Sequence, residues 1–122
     1  MKQLLILVIS VILFSCNSNS DLDKILSFSV EEVNKSCPMF VDEITRLDYA
    51  EIDKDGFFHY VYTFPSLSKS DIDIPSFYKE QSDILNNGYE SLTTFKENDV
   101  TVRYTYFDMH DNQIISILIP NN

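Results

Sequence analysis

Two aspartate-rich turns and two histidines are the residues of this chain whose types and spacing come nearest to known chemistry. Asp53-x-Asp55-Gly56 opens like a calcium loop, in which alternating carboxylates converge on a hard cation. Phe57 and Phe58 follow, however, and no Glu stands at the loop end to give the closing bidentate contact. Asp108, Asp111 and Asn112 repeat the composition further on, and both clusters read as turn formers. His59 falls in an apolar alternating run and His110 beside a turn. Neither has the His-x-x-x-His or Cys-x-x-Cys spacing of a zinc site. With two glycines in the chain, there is no Gly-x-Ser-x-Gly elbow and no Gly-rich phosphate cradle. The 19 acidic residues make carboxylate pairs by chance alone. The expectation is a non-enzymatic protein with no cofactor and no metal.

A different chemistry belongs to Cys16. Lys2 precedes an apolar run from Leu4 to Phe14 broken only by Ser10, the charged and hydrophobic regions of an export signal. The run is too short for a spanning helix, which needs about 20 apolar residues. Leu13-Phe14-Ser15-Cys16 resembles the bacterial lipobox, which implies a signal peptide over 1–15, acylation of Cys16 and a short tether over 16–20. Each buried methylene of such palmitate-type chains contributes about 0.8 kcal/mol, so several chains hold a protein to a membrane where one does not. Asn17 is not the aspartate that retains enteric lipoproteins at the inner membrane. The expected place is therefore the cell envelope, on the periplasmic side of the outer membrane rather than at the inner one.

Residues 21–122 suit a single domain. Apolar residues make up 44% of the chain and aromatics 13%, enough for a packed core rather than disorder. The net charge is −10, and removing the segment ahead of Cys16 takes away Lys2 and no acid. Such a surface repels phosphate backbones, which excludes nucleic acid, and suits a protein partner with a basic face.

Hydropathy patterning then supplies the elements. Ser20-Asp21-Leu22-Asp23 reads as a capping box ahead of Leu22, Ile25, Leu26, Val30, Val33 and Cys37, spaced for one helix ending before Pro38. Cys37, the one cysteine left after acylation, is expected to be buried on that helix. Ile44 to Asp53 and Phe57 to Phe64 are strands joined through Asp55-Gly56. Ile74, Phe77, Tyr78, Ile84 and Leu85 recur at helical spacing up to a stop at Asn86-Asn87-Gly88. Tyr89, Leu92 and Phe95 suggest a short further helix. Val100 to Phe107 alternates as a strand, and Ile114 to Ile119 follows beyond an Asp111-Asn112 turn. The fold class expected is α+β, a four-stranded antiparallel sheet of two hairpins with two or three helices on one face. Phe58, Tyr60, Tyr62 and Phe64 share one strand face, either as core beneath the helices or as a sticky patch for a partner.

The stretch Asn34-Lys35-Ser36-Cys37-Pro38-Met39-Phe40-Val41-Asp42-Glu43-Ile44-Thr45-Arg46-Leu47-Asp48 resembles a family of small exported bacterial proteins of unknown function that share Asn-Lys-x-x-Pro-Met-x-Val-Asp-x-x-Thr-Arg-Leu-Asp. Val100-Thr101-x-x-Tyr104-x-Tyr106-x-Asp108 resembles that family's penultimate strand. The resemblance implies one domain and no known activity, and marks Asp42, Thr45, Arg46 and Asp48 as the most distinctive polar group. As a recognition site, Arg46 would pair with Asp42 or Asp48. As a structural device, Asp42 would satisfy backbone amides where the helix crosses to the strand. The function expected is a membrane-anchored binding or accessory module of the envelope. The alternative is an immunity or inhibitor protein against an envelope-targeted toxin or hydrolase, its acids complementing a basic active site.

Overall fold

The computed structural model describes residues 21–120. The lipobox, Cys16 and Ser20 of the capping box lie outside those residues. A helix, α1, covers 21–35 and sets Leu22, Leu26, Val30 and Val33 along the stripe that packs on the core. The chain turns through backbone bonds from Ser36 to Val33 and from Cys37 to Asn34. It then forms a two-residue strand, β1 (Met39–Phe40), and two longer strands, β2 (Arg46–Ile52) and β3 (Phe58–Thr63). Gly56 closes the β2–β3 hairpin at φ +81°, a left-handed value that glycine adopts without a Cβ penalty.

A 3-10 turn, Lys69–Asp71, leads into α2 (Ile74–Tyr89), whose first turn is fixed by Asp73 accepting from the Ser76 amide and by proline at its start. A short helix, α3 (Thr93–Glu97), precedes β4 (Val102–Phe107) and β5 (Gln113–Ile119).

The strands form one five-stranded mixed sheet in the order β1-β2-β3-β4-β5. This corrects the expected four antiparallel strands in two ways. Met39 and Phe40 add an edge strand opposite Leu47 and Arg46. In addition, β4 runs parallel to β3, with Phe58 opposite Val102 and Tyr62 opposite Tyr106. The two tight turns do force antiparallel pairs within each hairpin. Between the hairpins, α2 and α3 return the chain to the end of the sheet at which β3 began, so β4 starts beside Phe58 and the central pair is a helical crossover.

Register gives one face three rows: Phe58, Val102 and Ile119; Tyr60, Tyr104 and Ile117; Tyr62, Tyr106 and Ile115. Phe58, Val102, Ile117 and Ile119 are fully buried, each contributing about 2 kcal/mol by area. The helices pack on this face. The other face carries Glu51, His59, Arg103, Thr105 and Ser116.

One further expectation is corrected. Helix α1 stops at residue 35, so Cys37 is not on it. The thiol is half-buried, donates to the Val33 carbonyl at 3.3 Å, and is pushed up by burial and by the charge of Asp48. Helix α2 ends at Tyr89, one residue past the expected stop at Asn86-Asn87-Gly88. The Tyr89 hydroxyl donates to the carbonyls of Val100 at 2.7 Å and Phe95 at 3.3 Å, tying the last turn to the body of the domain.

Candidate ligand groove

A groove of about 660 Å³ lies over β3 and β4, between the end of α1 and α2. Glu32, Val33 and Ser36 of the α1 end, with Met39 and Leu47, make one wall; Ile84, Leu85 and Gly88 of α2, with Leu92, make the other. The floor is Tyr60, Tyr62 and Tyr104. A second cavity of about 280 Å³ shares Val41 and Tyr62 with it, and continues toward Asp42, Thr45, Phe77, Gln81 and Tyr106. The rim is apolar as well: Met39, Val41 and Ile84 are exposed, Ile84 by 60%.

Parallel pairing of β3 with β4 is what makes the floor. It brings Tyr60 against Tyr104, with rings stacked at 5.3 Å and 16°, and Tyr62 against Tyr106, at 4.8 Å and 12°. Rings stacked across a sheet stand on edge and send their hydroxyls toward the helix layer. Tyr106 shows this, donating to Oε1 of Gln81 at 3.3 Å. The hydroxyls of Tyr60, Tyr62 and Tyr104 make no hydrogen bond to any described residue, and they are not sealed off, since Ser82 carries the one enclosed unpaired side-chain atom among the described residues. Burial raises all four phenols above their ordinary range, with the neighbouring tyrosines adding to the effect on Tyr62 and Tyr104. They are therefore neutral hydrogen-bonding groups at any physiological pH. The aromatic row accordingly divides: Phe58 and Phe64 are core, while Tyr60 and Tyr62 are half-buried floor.

The polar group marked in the sequence does not form one site. Oδ1 of Asp42 accepts from the amides of Ile44 at 2.9 Å and Thr45 at 2.8 Å, and these bonds hold its carboxyl below the usual range against a smaller effect of burial. Asp42 and the buried Thr45 line the smaller cavity. Arg46 turns the other way, its Nε donating to Oδ1 of Asp48 at 2.6 Å, while Oδ2 of Asp48 accepts from the Thr63 hydroxyl. This pair sits on the opposite face of the sheet.

That opposite face is knitted by side-chain bonds across four strands. His59 spans Glu51 at 3.0 Å through Nδ1 and the buried Thr105 at 2.8 Å through Nε2, and Thr105 meets Ser116 at 3.2 Å. At the first hairpin turn, Oδ1 of Asp53 accepts from the amides of Asp55 and Phe57, and Arg103 donates to Asp53 and to Asp55. At the second turn, Asp108 is completely buried and accepts from the amides of Lys69, His110 and Asn112. Among the described residues no three His, Cys, Asp or Glu side chains lie where they could share a metal ion, and no helix is long and apolar enough to cross a membrane.

The groove escaped the sequence reading because the gap between two helices has no local signal. What was visible was its floor, tyrosines at alternate positions of two separate strands.

Residues 21–116 match the family model of a domain of unknown function, DUF8479. No curated protein matches the chain. Among solved structures, a Pseudomonas aeruginosa protein described as a "putative secreted protein" is similar in fold, with a TM-score of 0.61 at 12% identity over 81% of this chain and 88% of that one.

Proposed function

This chain belongs to the DUF8479 family of domains of unknown function, and we propose that it is an exported lipoprotein, acylated on Cys16, that works on the periplasmic side of the outer membrane as a non-enzymatic binding module. The observation that carries the binding role is the groove between α1 and α2. It is an open apolar slot with a row of neutral phenol hydroxyls on its floor, and its volume is that of a small-molecule site. Export rests on the signal-like N-terminus and the lipobox, and the Pseudomonas aeruginosa neighbour, described as a "putative secreted protein", agrees with it. The acidic surface leaves the rest of the domain suited to a basic protein partner.

Two measurements test this. Intact mass and fractionation of the natively expressed protein, beside Cys16→Ala, read the anchor: a diacylglyceryl-sized gain on a chain starting at Cys16, lost together with membrane association in the variant, supports it. An unmodified soluble chain overturns it. A photo-reactive residue placed in intact cells at Ile84, on the groove rim, or at Tyr49, on the opposite face, reads the binding surface. A discrete adduct from position 84 alone supports the groove, whereas adducts from position 49 alone, or equally from both, overturn it.

A further inference from the structure

We propose that the groove takes an electrically neutral, oxygen-bearing amphiphile, a small molecule whose apolar body lies along the helix walls and whose oxygens meet the hydroxyls of Tyr60, Tyr62 and Tyr104. The inference rests on the reading of the groove as the binding surface and names its ligand. Tyr104 is the sharpest pointer. The residue is 6% exposed, yet its hydroxyl has no described partner and opens into the groove. A tyrosine as buried as Tyr104 ordinarily finds a partner within the protein; here its hydroxyl, like those of the half-buried Tyr60 and Tyr62, faces the open groove instead. An oxygen-bearing ligand supplies it.

The charge of the ligand follows from the lining. No Lys, Arg or His lines either cavity. Each cavity has one carboxylate, and both are engaged: Glu32 by Lys35 at 2.7 Å, and Asp42 by the Ile44 and Thr45 amides. A charged head of either sign would be desolvated there without a free counter-charge, and an anion would also meet the protein's net negative charge. Hydroxyl, ether or carbonyl oxygens meet the phenols at no such cost.

Gly88 makes the test clean. It lies within α2 on the groove wall, and a Cβ there would have nothing within 4 Å. Gly88→Leu therefore fills the groove while favouring the helix, and Gly88→Ala leaves most of the space open. The protein, purified into phosphatidylcholine nanodiscs with its seven tyrosines labelled at Cζ, is titrated with submicellar octyl glucoside, octyl sulfate and octyltrimethylammonium. The expected result is saturable movement of the Tyr60, Tyr62 and Tyr104 signals by octyl glucoside, with Tyr49 and Tyr78 still. Both charged probes should bind at least about tenfold more weakly, corresponding to about 1.4 kcal/mol. Tyr104→Phe should weaken binding about fivefold, Gly88→Ala should keep it and Gly88→Leu should abolish it. Equal binding of all three probes, tightest binding of a charged one, or indifference to Gly88→Leu overturns the proposal. If octyl glucoside leaves the tyrosines unmoved while the adduct at position 84 still forms, the ligand class is wrong and the groove reading stands; if neither occurs, both fall.

Discussion

The side chain of Asn34 stands in for a missing strand at Ala50. Its Nδ2 donates to the Ala50 carbonyl at 2.9 Å, and its Oδ1 accepts from the Ala50 amide at 2.8 Å. Strand β1 pairs with β2 only at Leu47 and Arg46, so beyond it the β2 edge has no backbone partner, although Ala50 is buried. One amide from the last turn of α1 closes that edge and fixes the helix over the sheet, so that α1 forms one wall of the groove.

Replacing Asn34 by Ala should therefore destabilise the domain by about 2 kcal/mol, since two hydrogen bonds are lost and the Ala50 groups stay buried. Asn34→Asp should cost about as much, because it keeps the acceptor but sets a carboxylate against the Ala50 carbonyl. Urea unfolding is the check. Both variants should shift the midpoint down with the slope unchanged, and an Asp variant as stable as the parent would refute the bidentate pairing.

The two glycines should respond to alanine in opposite directions. Gly88 is helical with open space around its Cβ position, so Gly88→Ala should stabilise by about 0.5–1 kcal/mol. Gly56 sits at φ +81° in the hairpin turn, where an L side chain is strained, so Gly56→Ala should destabilise by about 1 kcal/mol. Thermal unfolding of the two variants beside the parent reads both signs at once.

Asp108 should dominate the acid limb of stability. Burial alone would raise its carboxyl, but the amides of Asn112, Lys69 and His110 outweigh that and bring it to about 2, against about 3.9 in an unfolded chain. A carboxyl depressed on folding stabilises fully above its unfolded value and loses that contribution as pH falls through its folded one. Stability should accordingly drop between about pH 4 and pH 2. Asp42 and Asp53, also held low, add to the same window, so the difference between parent and Asp108→Asn isolates the one group. The variant should be less stable at neutral pH, and its loss on acidification should be shallower. Denaturant midpoints across pH 2–6 measure both.

What the sequence disclosed, and what it did not, divides along physical lines. Alternation in Val102, Tyr104 and Tyr106 and the turn at Asp55-Gly56 are local signals, and the strands and hairpins they imply are present. A short helix does follow, α3, but of Tyr89, Leu92 and Phe95 only Phe95 lies in it, Tyr89 ending α2 and Leu92 preceding α3. The parallel register of β3 with β4 has no local signal, because it depends on the direction in which α2 and α3 carry the chain back. The stop at Asn86-Asn87-Gly88 is a local signal as well, and α2 ends at Tyr89, directly after it. Asp42, Thr45, Arg46 and Asp48 are close in sequence, yet the bulge between Leu47 and Tyr49 and the pleat send them to two faces. The tyrosine floor was visible only as two rows of residues, since its existence as a floor needs both the parallel pairing and the gap above it.

Arg103 should be worth more to the first hairpin than its place on another strand suggests. From β4 its Nε donates to Oδ2 of Asp53 and its Nη2 to Oδ2 of Asp55, both at 2.9 Å, and the guanidinium lies 5.4 Å from the centre of the Phe57 ring. One planar group thus holds three residues of the β2–β3 turn. Asp55 is about half exposed, so solvent screens its share, while Asp53 is largely enclosed. Arg103→Ala should cost about 1 kcal/mol, an amount that shrinks as salt rises. Arg103→Lys should recover less than half of it, because an ammonium offers neither the two-pronged geometry nor the flat face. A double-mutant cycle with Asp53→Asn, read by urea unfolding at low and high salt, should give a coupling of about 0.5–1 kcal/mol that weakens with salt. Zero coupling at low salt would mean that the turn holds itself through the Asp53 side chain alone.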